Sequence, residues 1–234
     1  MNSRFPDFWE TDISKHEIPL FEIKIVIPKR DKIPPIDNPE FWNIKQADEH
    51  FTDNEPVISL AINDEAKAYP LSILTFHEVV NDQIGEKKVS VTYCPLCNAS
   101  ITFNRTVEHS GKEKNLDFGV SGMLRNSDLI MWDRQTESWW QQFSGKAIVG
   151  KMLGAELEML PSMVISYEEF KKNHPNGKVL STNTGASREY GKNPYAGYDD
   201  TTKEGLMFPV DYPDMKMPAK ERLVNVDANG KSIV

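Results

Sequence analysis

Two runs of alternating residues, Val89-Ser-Val-Thr-Tyr93 and Ala99-Ser-Ile-Thr-Phe103, flank the tetrapeptide Cys94-Pro95-Leu96-Cys97, which holds the only two cysteines of the 234-residue chain. β-Branched and aromatic residues in a period of two are the pattern of a half-buried strand, so the spacing predicts a hairpin with both sulfurs at its tip. A rigid tip presents the sulfurs a few ångströms apart. That arrangement suits a metal ion needing convergent soft ligands, or a dithiol that closes to a disulfide.

Similar alternation recurs along the chain. Val57 to Ala61, Lys67 to Tyr69, Leu116 to Ser121, Leu129 to Asp133, Ser138 to Phe143, Ala147 to Val149 and Val179 to Ser181 read as strands, divided by turn residues such as Asn63-Asp64, Gly122, Asn126-Ser127 and Gly145. Asp227-Ala-Asn-Gly230 reads as the turn of a closing hairpin. Helices are fewer. Pro70 at a first helical position opens a helical period from Leu71 to about Asn81, ended by Gly85. Ser166 N-caps a second helix running to Asn173, with Glu169 at the capping-box position.

The first forty residues are rich in Pro and charge. Ile33-Pro-Pro-Ile-Asp-Asn-Pro-Glu-Phe41 cannot sustain a helix, because each proline also restricts the residue before it. Residues 1–40 are therefore expected to form an extended arm anchored by aromatics such as Phe5, Phe8 and Trp9, and residues 41–234 a single globular domain. The expected fold class is α+β and mostly β: one domain of antiparallel strands, meander- or barrel-like, with two or three helices.

At 39% hydrophobic residues the chain has enough apolar surface for a substantial core. Its net charge of -8, with 27 basic against 35 acidic residues and no basic cluster, carries no footprint for nucleic acid. No stretch approaches the ~20 apolar residues of a membrane span, and Met1 to Glu10 has no apolar run like that of a signal peptide. The expected partner is a small-molecule substrate or ligand, with no nucleic acid and no membrane, and the expected location is the cytoplasm.

The helical period from Leu71 to Asn81 puts His77 on a half-apolar side with Ile73, Leu74 and Val80, and Asn81 one turn on. Glu78 and Asp82 share the next face. No second Cys-x-x-Cys and no His-x-x-x-His exists, so a closed four-cysteine zinc site is impossible. Two thiolates and one imidazole instead make an open site for copper or zinc, and His77, on an element close in sequence to the hairpin, is the natural third ligand to Cys94 and Cys97. Asn81 or Glu78 would then orient the imidazole.

Glu78, Asp82, Arg105, Asp133 and Arg134 are the candidate catalytic groups. Ser121, Asn126, Ser127 and Arg188 are the candidate ligand contacts, in the polar Ser121 to Gln141 segment and after the Thr184-Gly185 turn. The alternative for Asp133 and Arg134 is a structural ion pair. His16, His50, His109 and His174 lie in polar surroundings and read as solvated.

These residues support a metal-binding enzyme. Two other readings stay open: a non-catalytic module that captures an anionic ligand with its arginines, and a dithiol-disulfide oxidoreductase. Strand rather than helix after Cys97 weakens the last, since a redox thiol is normally activated at a helix N-terminus. No phosphate loop, dinucleotide fingerprint or nucleophile elbow is present.

The strings Ala68-Tyr-Pro-Leu71, His77-Glu-Val-Val-Asn-Asp82, Val91-Thr-Tyr-Cys-Pro-Leu-Cys97, Phe118-Gly-Val-Ser-Gly122, Asn126-Ser-Asp128, Met131-Trp-Asp-Arg134 and Arg188-Glu-Tyr190 stand in that order. Together they resemble the pattern of the bacterial and archaeal DUF3179 family, a domain of unknown function, from about Lys32 to Tyr198. The resemblance puts His77, Glu78, Asn81, Asp82, Cys94 and Cys97 inside family motifs and brings no activity with it. Trp132 and Trp139, where tyrosine and leucine are usual, are mild departures that touch no proposed ligand.

Overall fold

Period-two alternation is expressed as strands from the N-terminal third of the chain to its C-terminal end. The computed structural model describes residues 5–6, 8–203, 205–213, 216–221, 223, 226–228 and 231–233. In chain order the strands are β1 (Ile23–Ile25), β2 (Phe41–Asn43), β3 (Pro56–Ile62), β4 (Glu65–Pro70), β5 (Val79–Ile84), β6 (Lys87–Cys94), β7 (Ala99–Asn104), β8 (Thr106–His109), β9 (Lys112–Asn115), β10 (Phe118–Arg125), β11 (Asp128–Asp133), β12 (Trp139–Gln141), β13 (Lys146–Val149), β14 (Met159–Leu160), β15 (Met163–Ser166), β16 (Lys178–Leu180), β17 (Val226–Ala228) and β18 (Lys231–Ile233). The α-helices are α1 (Ile44–Ala47), α2 (Leu71–Leu74) and α3 (Tyr167–Asn173). The class is α+β and mostly β, with 37% strand against 8% helix. Among the described residues no helix is long and apolar enough to cross a membrane.

Three sheets carry the fold. The first runs β1-β10-β11-β12-β13, the second β14-β7-β6-β5 and the third β15-β3-β4-β16-β2. Every pairing is antiparallel except β16 with β4. Each order has two free ends, so the described sheets stay open. The meander is present in β10 to β13, and barrel closure is not. β17 and β18 pair as a hairpin; Asn229 and Gly230 of its expected turn lie outside the described residues.

The second sheet is the middle layer. On β6, Cys94 packs into a cluster with Val79, Phe103, Phe118, Met131 and Trp140, which joins it to the first sheet. Val89 and Val91 of the same strand pack with Ile58, Leu60, Tyr69 and Val80, which joins it to the third. Alternation therefore separates two buried faces, as a strand between two layers requires.

α3 begins as its sequence predicts, with the Ser166 hydroxyl accepting from the Glu169 backbone N–H at 3.1 Å. The helix expected from Leu71 to Asn81 does not form beyond Leu74. Val79 to Ile84 pair with Thr92 to Lys87 of β6, and Ile36 bridges Val80 in parallel from the other side. Paired β-branched valines in a buried sheet outweigh a weak helical period, and Glu78 marks the change of direction at φ +60°.

Several of the described residues before Phe41 are bound to the sheets. Phe5 and Trp9 meet Trp139 with ring centroids 4.7 and 5.4 Å apart, and β1 adds an edge strand to β10. Arg30 lies 4.5 Å over the Trp132 ring. Further on, the Val26 and Ile27 backbone N–H groups both donate to the Gly122 carbonyl, at 3.0 and 2.9 Å. Gly122 sits at φ +79° in the irregular stretch of β10, and an added Cβ would stand 2.2 Å from the Ile27 carbonyl oxygen. Because both the conformation and the space exclude a side chain, Gly122→Ala should cost more than about 2 kcal/mol of stability in chemical denaturation and speed proteolysis of residues 5–37.

Candidate functional site

β6 and β7 pair in register to Cys94 and Ala99, leaving Pro95 to Asn98 as the tip. Cys94 is buried beneath this tip. Cys97 is exposed as a residue, yet its Sγ turns inward to the Asp128 carboxylate at 3.2 Å. Asp128 reaches that position through a second hairpin. Asn126 and Ser127, at φ +50° and +64°, form the two-residue turn between β10 and β11 that matches strand twist, and Asp128 follows as the first residue of β11. The two sulfurs and one Asp128 oxygen lie within 4.8 Å of one another, the group of potential metal ligands found among the described residues.

Asp128 is held from behind. Its Oδ2 accepts from the Gln141 side-chain amide and from the Phe143 backbone N–H at 3.0 Å, while Oδ1 faces Cys97. Gln141 is steadied in turn by Arg125, whose Nε donates to Glu22 at 2.7 Å. A carboxylate fixed on one oxygen and presented on the other is how metal-binding acids are commonly oriented.

The electrostatics favour protons at this centre. Burial pushes the Asp128 carboxyl up against the pull of its hydrogen bonds. The Cys97 thiol is raised by its hydrogen bond with Cys94, then by burial and by the nearby charges of Cys94 and Asp128. Glu78 joins the same neighbourhood. Its backbone is pinned by the Leu74 carbonyl at 2.7 Å and by the Tyr93 N–H at 2.8 Å, and burial, followed by the charge of Asp128, pushes its carboxyl up to about 8. Tyr195 rises to about 12 through burial and then the charges of Glu78 and Cys94.

A cleft of about 600 Å³ opens beside the sulfurs, lined by Cys97, Ile101, Asn126, Ser127 and Phe143 together with residues of the C-terminal segment. Asn126 and Ser127 fasten that segment. The Asn126 side-chain oxygen accepts from the Asp211 N–H at 2.9 Å, and the Ser127 hydroxyl donates to the Phe208 carbonyl at 2.6 Å.

His77 is not brought to the sulfurs. It is buried in the turn between α2 and β5, with Nδ1 2.7 Å from the Pro34 carbonyl and Nε2 2.6 Å from the Tyr190 hydroxyl, which also contacts the Thr184 hydroxyl at 2.6 Å. A carbonyl can only accept, so Nδ1 carries the proton and the neutral ring takes its second bond from Tyr190. Burial is the leading cause that keeps this imidazole below its ordinary value. With both nitrogens engaged, His77 clips Pro34 to the Thr184–Tyr190 segment. Asn81 does not orient it: the Asn81 amide bonds Asp37 and the backbone of Phe118.

The remaining candidates occupy structural positions. Asp82 is on β5 and shares no helical face with Glu78; it takes the Lys67 ammonium at 2.8 Å and the Tyr69 hydroxyl at 2.7 Å. Arg105 is buried, donating to the carbonyls of Val89, Leu116 and Asp82 and to Asp117. Asp133 and Arg134 do not pair with each other. Asp133 accepts from Thr136 and the Trp140 indole, and Arg134 bonds Asp37 at 2.9 Å and faces Asp31 at 3.6 Å. Ser121 hydrogen-bonds the Ile130 carbonyl inside the β10–β11 irregularity. Arg188 is exposed and raises the local positive field at His77 and Tyr190.

Sequence reasoning missed Asp128 as a member of the cluster. The signal available was an acid placed directly after an Asn-Ser turn, but nothing local states which hairpin that turn would face.

An open-sheeted α+β protein carrying a dithiol–carboxylate cluster where two hairpin tips meet is the class that this fold and site define. The family model described as "Protein of unknown function (DUF3179)" matches residues 30–234, and the chain belongs to that family. No curated protein and no solved structure matches it.

Removing Asp82 leaves the buried Lys67 ammonium without its carboxylate, so Asp82→Ala should lose about 3–5 kcal/mol in denaturation while leaving the sulfur–carboxylate cluster in place. Glu78 gives a pH signature. Between its ordinary value of 4.5 and about 8, the folded state holds a proton that the unfolded state has released. Stability with a chelator present should therefore fall as pH rises through that window and level off above it. Glu78→Gln should remove this part of the slope in denaturation midpoints measured against pH.

Proposed function

We propose that Cys94, Cys97 and Asp128 are the protein ligands of a thiophilic metal ion, zinc ahead of copper, and that the ion serves an enzymatic reaction on a small molecule in the adjoining cleft. The observation that carries this reading is the convergence of three ligand atoms within 4.8 Å, drawn from two hairpins remote in sequence. Two thiolates alone suit Cu(I); a carboxylate oxygen as third donor is a harder ligand and favours zinc. Tetrahedral zinc at ~2.3 Å from sulfur and ~2.0 Å from oxygen would space those ligands ~3.5 Å apart. The Cys97–Asp128 separation is 3.2 Å.

Three protein ligands leave one position of a tetrahedron, the pattern of catalytic rather than structural zinc. Such an ion activates water for hydrolysis or a lyase step. Glu78, buried beside Asp128, is the group suited to exchange a proton there, acting as the base above about pH 8, where its own carboxyl is ionised. Thiol redox exchange is the weaker reading, since the Cys97 thiol is raised rather than lowered and β7, not a helix, follows it. Capture of an anion by arginines is weaker still: Arg105, Arg125 and Arg134 are each paired with a carboxylate of the fold, and Arg188, though exposed, does not line the cleft beside Cys97.

Elemental analysis of protein purified without added metal tests the reading. A stoichiometric amount of zinc or copper is expected in the parent and in His77→Gln, and its loss in Cys94→Ser and in Asp128→Ala. A metal-free parent, or undiminished metal in both ligand variants, would overturn it.

A further inference from the structure

The walls of the cleft beside Cys97 come from separate parts of the chain. β7 and the tip of its hairpin contribute Ile101 and Leu96, the turn after β12 contributes Phe143, and the segment beyond Tyr198 contributes Leu206, Val210 and Leu223. A volume of about 600 Å³ is that of a small-ligand site, concave where a protein partner would meet a broad face.

Much of the polar lining is already committed. The Asn126 side-chain oxygen accepts from the Asp211 N–H at 2.9 Å, the Ser127 hydroxyl donates to the Phe208 carbonyl at 2.6 Å, and the Asn98 side-chain oxygen accepts from the Tyr93 hydroxyl at 3.1 Å. Charge selects no guest either, because Lys220 lines the cleft together with Asp199 and Glu221, and all three have interactions of their own.

The apolar lining is what remains to be covered. Phe143 is 62% exposed and Leu223 55%, while Leu96, Ile101, Leu206 and Val210 are half-buried. Apolar side chains left in water and gathered around one concavity mark a binding site, unlike single ones scattered over a surface. An apolar guest would take surface out of water on both partners, whereas a wholly polar guest would exchange its hydration for groups that already have partners.

We propose that the substrate taken here is a small amphiphile, with an alkyl or aryl body seated on Ile101, Phe143, Leu206 and Val210 and one polar group turned toward Cys97. The role of the polar end rests on the metal reading above; the seating of the apolar body rests on the cleft alone.

Calorimetric titration of the full chain with straight-chain alcohols from 1-pentanol to 1-octanol tests the proposal. Affinity should rise about threefold with each added methylene, just under the ~fourfold of a fully buried one, and saturate at one site per chain. Phe143→Ser keeps the backbone N–H that Asp128 uses, and both it and Val210→Ser should weaken 1-octanol several-fold. Met163, on β15 and outside the cleft, is comparably exposed at 66%, so Met163→Ser should bind 1-octanol as the parent does. Cys94→Ser, which breaks the metal centre, should also match the parent. Failure of the metal reading therefore leaves the chain-length series intact, and a flat series in a metal-loaded parent removes the amphiphile alone. Absence of 1-octanol binding, affinity independent of chain length, parental affinity in both Phe143→Ser and Val210→Ser, or equal weakening by Met163→Ser would each overturn the proposal.

Discussion

The register of the β6–β7 hairpin fixes the two sulfurs around which the candidate site is built. β6 is buried on both faces, with Cys94 packing toward the first sheet and Val89 and Val91 toward the third. A slip of one residue would exchange the two faces, drive the valines out of their cluster and turn Cys94 away from Asp128. Strand pairing on both sides, β5 against β6 and β6 against β7, makes that slip costly throughout the layer. The sulfurs thus sit at the end of one of the most constrained strands in the molecule, a rigid support of the kind that precise ligand geometry demands.

The carboxylate opposite them depends on a longer chain of contacts. Glu22, just before β1, holds Arg125 at the end of β10; Arg125 contacts Gln141 on β12; Gln141 bonds Asp128 at the start of β11. Glu22 is itself almost fully buried, so this ion pair is screened little by solvent. The N-terminal segment therefore does more than cover apolar surface. It supplies the outermost link that sets the Asp128 side chain, and through Asp31 and Asp37 it also takes up Arg134.

Much of this was legible from the residues. The hairpin around the cysteines, the β10 to β13 meander and the Ser166 cap all follow from local pattern and turn chemistry. What local pattern could not carry was partner choice. Leu71 to Asn81 has a helical period, yet Val79 and Val80 find better company across β6 and against Ile36, and the element becomes a strand. His77 loses its helical setting with that change and turns to Pro34 and Tyr190. Polar residues misled in a similar way. Ser90 and Thr92 look like the solvent face of a half-buried strand, but both are fully buried between layers, where Thr92 bonds Gln142 and the Ile101 carbonyl. Arg105 and Asp133 read as chemistry because charge in a mostly apolar segment stands out; each instead satisfies carbonyls, hydroxyls or an indole that the fold has buried.

The protonation of the cluster ties these observations to the proposed metal. Asp128, Cys97 and Glu78 share one neighbourhood and each is biased toward the neutral form: Asp128 by burial, Cys97 by its hydrogen bond with Cys94 and then burial, and Glu78 by burial, with the charge of Asp128 adding to the effect on Cys97 and on Glu78. Buried acids of like sign with no cation among them are a poor use of a constrained location, since their negative forms are penalised and their neutral forms gain little. A divalent ion reverses the balance, because the thiolate and carboxylate forms that burial disfavours are the forms a metal requires. An ion bound there as proposed would release protons on binding, and its affinity would rise with pH until the ligands were fully ionised. Asp128 enters this equilibrium already oriented by Gln141 and the Phe143 amide, so the conformational cost of assembling the site is met largely by folding.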